Sequence, residues 1–169
     1  MAKKIKVDLK ENKVKLKTTD VIINIEPLLK GFLADQMMNS LAQSGFSHSF
    51  LNLEEVFVTR GNDFNGPWKI KVVDQTTANA HRAFLYNVSD AAAATIRLNQ
   101  RGLTLPPADL KSVTVFTKDS ASKAQGLATV AYAMGLADAK KFLEDLKVER
   151  AVLIDHQGKF YQIPEEKDK

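Results

Sequence analysis

Few residues of this 169-residue chain have a type and spacing suited to chemistry, and Glu54 and Glu55 stand out, adjacent carboxylates closing the run Phe50-Leu51-Asn52-Leu53. A carboxylate pair can divide acid and base roles, yet consecutive strand residues point to opposite faces, so these two do not readily share one site. The three histidines, His48, His81 and His156, lie far apart with no ligand or acid-base partner at a useful spacing, and read as solvent-facing or turn residues. No serine sits in a nucleophile elbow, and the eight glycines are scattered singly, which leaves no phosphate-cradling loop. Lys30 breaks into an apolar helical pattern and reads as an amphipathic stem with its amine in water. Cysteine is absent, which removes disulfides, thiolate metal sites and thiol nucleophiles. Residue patterns alone therefore yield no enzyme.

The chain that must position these residues is 44% apolar and 26% charged, a balance that supports one compact domain without disulfides or metals. We expect a single domain over residues 1–169, with a lysine-rich hairpin at 1–17 and a frayed tail at 164–169. The net charge of +4 is uneven, because residues 1–17 hold seven lysines against Asp8 and Glu11. Ile5, Val7, Leu9, Val14 and Leu16 alternate with those lysines around Glu11-Asn12, the pattern of a hairpin with one wet face. Lysines on an outer strand discourage edge-to-edge pairing, and the lack of an arginine cluster or interleaved aromatics weighs against nucleic acid. No apolar run follows the basic start, so no signal peptide is read and the chain as written reads as cytoplasmic. No apolar window approaches the roughly 20 residues of a membrane span.

Val21-Ile22-Ile23-Asn24-Ile25 is β-branched and predicts a buried strand, and Glu26-Pro27 opens a helix to about Ser44, with Gly45 as its stop. Its apolar positions Leu28, Leu29, Phe32, Leu33, Met37 and Leu41 recur at three and four, which predicts a buried stripe. Strands are expected at 47–53, 55–60, 67–74 and 82–88 as an antiparallel meander, with turns at Gly61–Pro67 and Gln75–Asn79. Segment 97–109, with Arg101-Gly102 and Pro106-Pro107, reads as a loop, and Val113–Phe116 as a strand. The period then changes to that of helices: one through Ala124, Leu127, Ala128, Ala131 and Met134 to Gly135, and a second over Ala137–Leu146. Strands follow at 151–154 and 159–163. The fold class is α+β, a mainly antiparallel sheet with helices on one face.

Taken in order, Asn24-Ile25-Glu26-Pro27-Leu28-Leu29-Lys30-Gly31-Phe32-Leu33-Ala34-Asp35 resembles the segment "DLGGIAKGYAVD" of the FAD:protein FMN transferases, the ApbE family. Leu51-Asn52-Leu53-Glu54-Glu55 resembles its "VNLGGD", and Gly66 to Asp74 its "PWRVGIxDP". Ala94-Thr95 is similar to "ATSG", Ser112-Val113-Thr114-Val115 matches "SVTV", and Ala124 to Gly135 resembles "ADALATAxxxxG". The collinear matches run over about residues 13–163. The resemblance implies an ApbE-like, T-fold-related architecture, of which this chain covers the C-terminal half; the family's N-terminal half helps enclose the flavin.

It also implies function. Members bind FAD and Mg2+ and move FMN onto a threonine or serine of a target protein, some hydrolyse FAD, and many work outside the cytoplasm. Carried over by position, Lys30, Gly31, Asp35, Asn52, Glu54 and Glu55 are the candidate cofactor-binding residues, and Gln125 and Thr129 the candidate metal residues. No catalytic residue can be named. Glu54 and Glu55 replace two glycines that let backbone approach the ligand, and they bring negative charge to an FAD pyrophosphate. Gln125 replaces a metal-binding aspartate, leaving a neutral amide where magnesium wants a hard anionic oxygen. The family's "HIxDPxTG" segment has no counterpart with a histidine between Thr95 and Ser112. The resemblance offers FAD and Mg2+, and these changes speak against expecting either. The reading is an ApbE-like domain that has lost FMN transfer and acts as a binding or assembly protein toward a protein partner or flavinylation target. The alternative is an FAD-binding enzyme, with Lys30 near phosphate and Asp35 at the ribose or as a structural cap.

Overall fold

The computed structural model describes residues 4–74, 83–97, 109–118 and 120–165. Its order is β1 (Ile5–Asp8), β2 (Lys13–Leu16), α1 (Glu26–Gln43), β3 (Ser49–Leu53), β4 (Val56–Arg60), β5 (Trp68–Val73) and β6 (Ala83–Val88). There follow β7 (Ala92–Arg97), β8 (Leu110–Thr117), α2 (Ala121–Met134), α3 (Leu136–Asp145), β9 (Arg150–Asp155) and β10 (Phe160–Ile163). The central sheet runs β10-β9-β8-β7-β4-β3 with every pair antiparallel, while β1-β2 and β5-β6 form separate two-stranded sheets. The expected α+β architecture is thus present. The turn at Gln75–Asn79, His81, most of the 97–109 loop and the last four residues of the tail lie outside the described residues.

Side-chain alternation along the central strands builds two cores. Val56, Val58, Ala92, Ala94, Val113, Val115, Ala151 and Leu153 face the helices, and Ala93, Phe116, Val152 and Ile154 face Ile70, Val72, Tyr86 and Val88 of β5-β6. The middle strands are therefore buried on both faces, which explains their unbroken apolar runs. The expected meander is corrected at this point. β4 pairs with β7, not with β5, and β5-β6 lies across the opposite face of the sheet from the helices. β7 itself escapes sequence reading, because Ala92-Ala93-Ala94 has no strand propensity; its place between two layers makes it a strand.

Small side chains set the spacing of helices and sheet. Ala121, Ala124, Ala128 and Ala131 of α2, Ala34 of α1, and Ala93 and Ala94 of β7 are fully buried. α1 lies tight against α2 at Gly31, where a Cβ would stand 2.7 Å from the Ala121 carbonyl oxygen and 2.8 Å from Gln125 Oε1. α1 ends as its sequence predicts: Gly45, at φ 89°, lets Gly45 N donate to Ala42 O and Phe46 N to Leu41 O, a Schellman closure.

Two expectations for the N-terminal third fail. Val21–Ile25 forms no strand, and Ile22, Ile23 and Ile25 are exposed; among the described residues no strand pairs with this segment. The stripe is inverted as well: α1 buries Gly31, Ala34 and Met38, leaving Leu28, Leu29, Phe32, Leu33 and Met37 exposed and Leu41 half-buried. The close approach at Gly31 selects the small-residue side and turns the bulky one outward. If that contact governs the packing, Gly31→Ala should lower stability by about 1–3 kcal/mol in thermal or denaturant unfolding, because the clash falls on backbone as well as on a side chain.

Candidate functional site

The matched residues gather where α1, the start of α2 and the β3-β4 turn meet. Glu54 and Glu55 form a two-residue turn closed by the Leu53–Val56 pair. Glu54 sits at φ 61°, a conformation that favours glycine, so the backbone keeps a glycine-type turn with a larger residue in it. The two carboxylates diverge, as expected of neighbours. Glu54 accepts from Lys30 Nζ on α1 across the surface, and Glu55 accepts from Arg97 Nη2 on β7 in a pair about three-quarters buried. The Lys30 hydrogen bond, then its charge, holds the Glu54 carboxyl below the usual glutamate range.

Asp35 and Gly31 join the two helices one turn apart. Asp35 Oδ1 accepts from Ala121 N at 2.7 Å, and Oδ2 accepts from Ser122 N at 3.0 Å and Ser122 Oγ at 2.7 Å. The Ser120 hydroxyl accepts from Lys123 N at 3.0 Å, and the Ser120 carbonyl from Ala124 N at 3.1 Å. All four amides of the first turn of α2 are thereby satisfied, three by side chains. Asp35 therefore stands as a cap. Deeper in the contact, Gln125 is buried and its Oε1 accepts from Gly31 N at 2.7 Å. Thr129 Oγ1 donates to the Gln125 carbonyl at 2.7 Å within α2. Asn52 lies on β3 with its side chain exposed, opposite Phe57 in the pairing.

Behind the turn, a cavity of about 90 Å³ is lined by Glu54, Glu55, Asp74, Thr95, Arg97, Lys111 and Thr114. Two of its pairs are invisible to sequence reading, Glu55–Arg97 and the largely buried Lys111–Asp74 pair at 2.8 Å, because 42 and 37 residues separate the partners. No local motif signals either. Of the histidines, His48 is fastened in a surface turn, its Nδ1 accepting from Asn62 N at 3.0 Å, and His156 is exposed in the β9-β10 turn. No three His, Cys, Asp or Glu side chains cluster to hold a metal among the described residues. No helix among them is long and apolar enough to cross a membrane.

The α+β fold, with its helices on one face of an antiparallel sheet, matches that of solved flavin-transferase structures. The ApbE family model matches residues 1–154, and the chain belongs to the ApbE family. Among solved structures it is similar to the flavin transferase ApbE from Vibrio cholerae (H257G mutant), at 21% identity and TM-score 0.73, covering 96% of this chain and 54% of that one. The apo flavinyl transferase ApbE from Pseudomonas stutzeri matches at 16% identity and TM-score 0.75, with 96% and 54% covered. The ApbE protein from Thermotoga maritima matches at 20% and 0.72, with 96% and 57% covered. The chain thus spans little more than half the length of these structures. No curated protein matches its sequence.

Two outcomes check the assignment of these side chains. Removing the cap by Asp35→Ala should cost about 1–2 kcal/mol in unfolding experiments, with Asp35→Asn retaining part of it. Glu54→Gly relieves the backbone and loses only an exposed ion pair, so its melting temperature at neutral pH should equal or exceed the parent's. Because the folded-state Glu54 carboxyl is depressed, its contribution is present at neutral pH and fades as pH falls through and below the usual glutamate range. That acid-sensitive part should be missing from the Glu54→Gly melting curves.

Proposed function

We propose that this chain is a flavin-transferase-like domain without FMN transfer, serving as a binding or assembly protein toward a protein partner, such as one that other family members flavinylate. The observation that carries this reading is where the polar atoms at the matched positions are spent. Gln125 Oε1 is engaged by Gly31 N, the Thr129 hydroxyl by its own helix, Asp35 by the start of α2, and Lys30 by Glu54. A magnesium ion asks for hard anionic oxygens, and Gln125 with Thr129 offers a neutral amide oxygen that already accepts from Gly31 N and a neutral hydroxyl, so these residues fit the ion poorly. Flavin fares no better on this side. Side chains stand in the turn where the resemblance implies close backbone approach to a pyrophosphate, and each of its carboxylates is already paired, Glu54 with Lys30 and Glu55 with Arg97. The scaffold asks only for volume and shape, which is why it outlasts such changes.

Titration of the purified chain with FAD, with and without Mg2+, followed by flavin fluorescence and calorimetry, is expected to show no saturation below about 100 µM. Micromolar binding, or FMN covalently attached to a threonine-bearing target peptide, would overturn the proposal in favour of an FAD-binding enzyme. In that case Lys30→Ala should weaken the binding.

A further inference from the structure

At the far end of β4 from the Glu54-Glu55 turn lies a second cavity, of about 350 Å³, between Met38 and Asn39 of α1, Val58 and Arg60 of β4, Ala92 of β7 and Lys118 after β8. That is room for a molecule with a body, not merely for one water or a bare ion. The strand end at Arg60 is tied to β5 and to the turn before β7. Trp68 Nε1 donates to the Arg60 carbonyl at 3.1 Å, Gly61 N to Asp90 Oδ1 at 3.0 Å, and Ala91 N to Thr59 Oγ1 at 3.1 Å. Val58 and Ala92 face the helices, and Arg60 follows Val58 by two, so strand alternation turns its side chain toward α1. Among the described residues, no hydrogen bond or ion pair reaches its guanidinium. At the β3-β4 turn both carboxylates are paired, whereas here a cation on a fixed backbone faces a cavity unpaired.

We propose that this cavity binds a small carboxylate-bearing ligand, its carboxylate on Arg60 and its apolar stem against Met38, Val58 and Ala92. A guanidinium presents a planar fork that meets a carboxylate or a phosphate with two parallel bonds. Two acids that also line the cavity, Asp35 and Asp90, decide between them, since a phosphate brings up to two negative charges beside theirs and a carboxylate one. Neither acid serves Arg60: Asp35 accepts three bonds from α2, and Asp90 accepts from Gly61 N. Lys118 adds a second cation, 3.5 Å from Glu149 in an exposed pair for which a ligand can compete. The floor of Met38, Val58 and Ala92 is apolar and buried, which suits a stem that a bare anion lacks. The first-turn amides of α2 take no part, because they are satisfied within the chain. The cavity shares only Asp35 with the matched positions, so the inference is independent of flavin binding.

Calorimetric titration of the full chain with N-acetyl-leucine, a carboxylate on a branched apolar stem, should saturate with a Kd of about 0.1–1 mM. N-acetyl-leucine amide and inorganic phosphate should each bind about tenfold more weakly or worse. Arg60→Ala and the uncharged Arg60→Gln should both weaken N-acetyl-leucine about tenfold or more while the circular dichroism spectrum stays that of the parent. In the isotope-labelled parent, the amide resonances of Arg60, Ala91 and Ala92 should shift with the ligand. A free acid and the C-terminus of a peptide carry the same chemistry, and 4-methylpentanoate against a leucine-terminated tripeptide distinguishes them by which binds more tightly. Absence of saturation by any of these carboxylates up to about 10 mM overturns the proposal. Equal binding by the parent and both Arg60 variants overturns it too, as does phosphate binding that matches the carboxylate. Unfolding of both variants also overturns it, since the Arg60 side chain would then be engaged within the fold.

Discussion

The close approach of α1 and α2 at Gly31 is the constraint on which the rest of this structure depends. Without a Cβ at that position, the Ala121 backbone and the Gln125 amide can come into contact with α1, and the helices meet through hydrogen bonds as well as through packing. One turn along, Asp35 closes the start of α2. These contacts fix where α2 lies, and α2, lined with alanine, fixes how near the sheet can come. β7 is the strand beneath it, so a segment of three alanines becomes the middle of a sheet.

The same constraint decides what the matched residues can do. Gln125 is of a type that could ligate a cation through its carbonyl, but that oxygen is the one bridging to Gly31. Asp35 has the charge to meet a ligand hydroxyl, but three donors from α2 already occupy it. In the β3-β4 turn Glu54 holds a backbone conformation that favours glycine, and its side chain is drawn to Lys30. Groups that in a binding site would be held ready for a ligand are satisfied within the chain.

Much of the fold was legible from residue pattern. The extent of α1 and its stop at Gly45, the break between α2 and α3 at Gly135, and the apolar strands read at 113–116 and 151–154, which the structure extends to 110–117 and 150–155, all follow from periodicity and turn chemistry. The order of short motifs pointed to the family and hence to the sheet. β7 was not legible, because propensity says strand only where β-branched or aromatic residues supply it. Nor was the orientation of α1. Apolar residues at spacings of three and four show that a face favours burial, but not which neighbour buries it, and a helix apolar on both sides offers two answers. Val21–Ile25 was misread for a related reason: a strand exists only where an edge is present to pair with it.

By itself, the sequence determined which residue types stand at each position: two adjacent carboxylates at 54 and 55, an amide at 125, no thiol anywhere. It also determined the local stops and caps, which depend on residues within a turn of one another. Only the tertiary structure decided where the charges and amides go. Glu54 finds Lys30 across 24 positions, Glu55 finds Arg97 across 42, and Gln125 finds Gly31 across 94. Such pairs have no local signature, because hydrogen bonds and ion pairs act over a few ångströms, and these atoms come within that range only after the sheet and helices have packed.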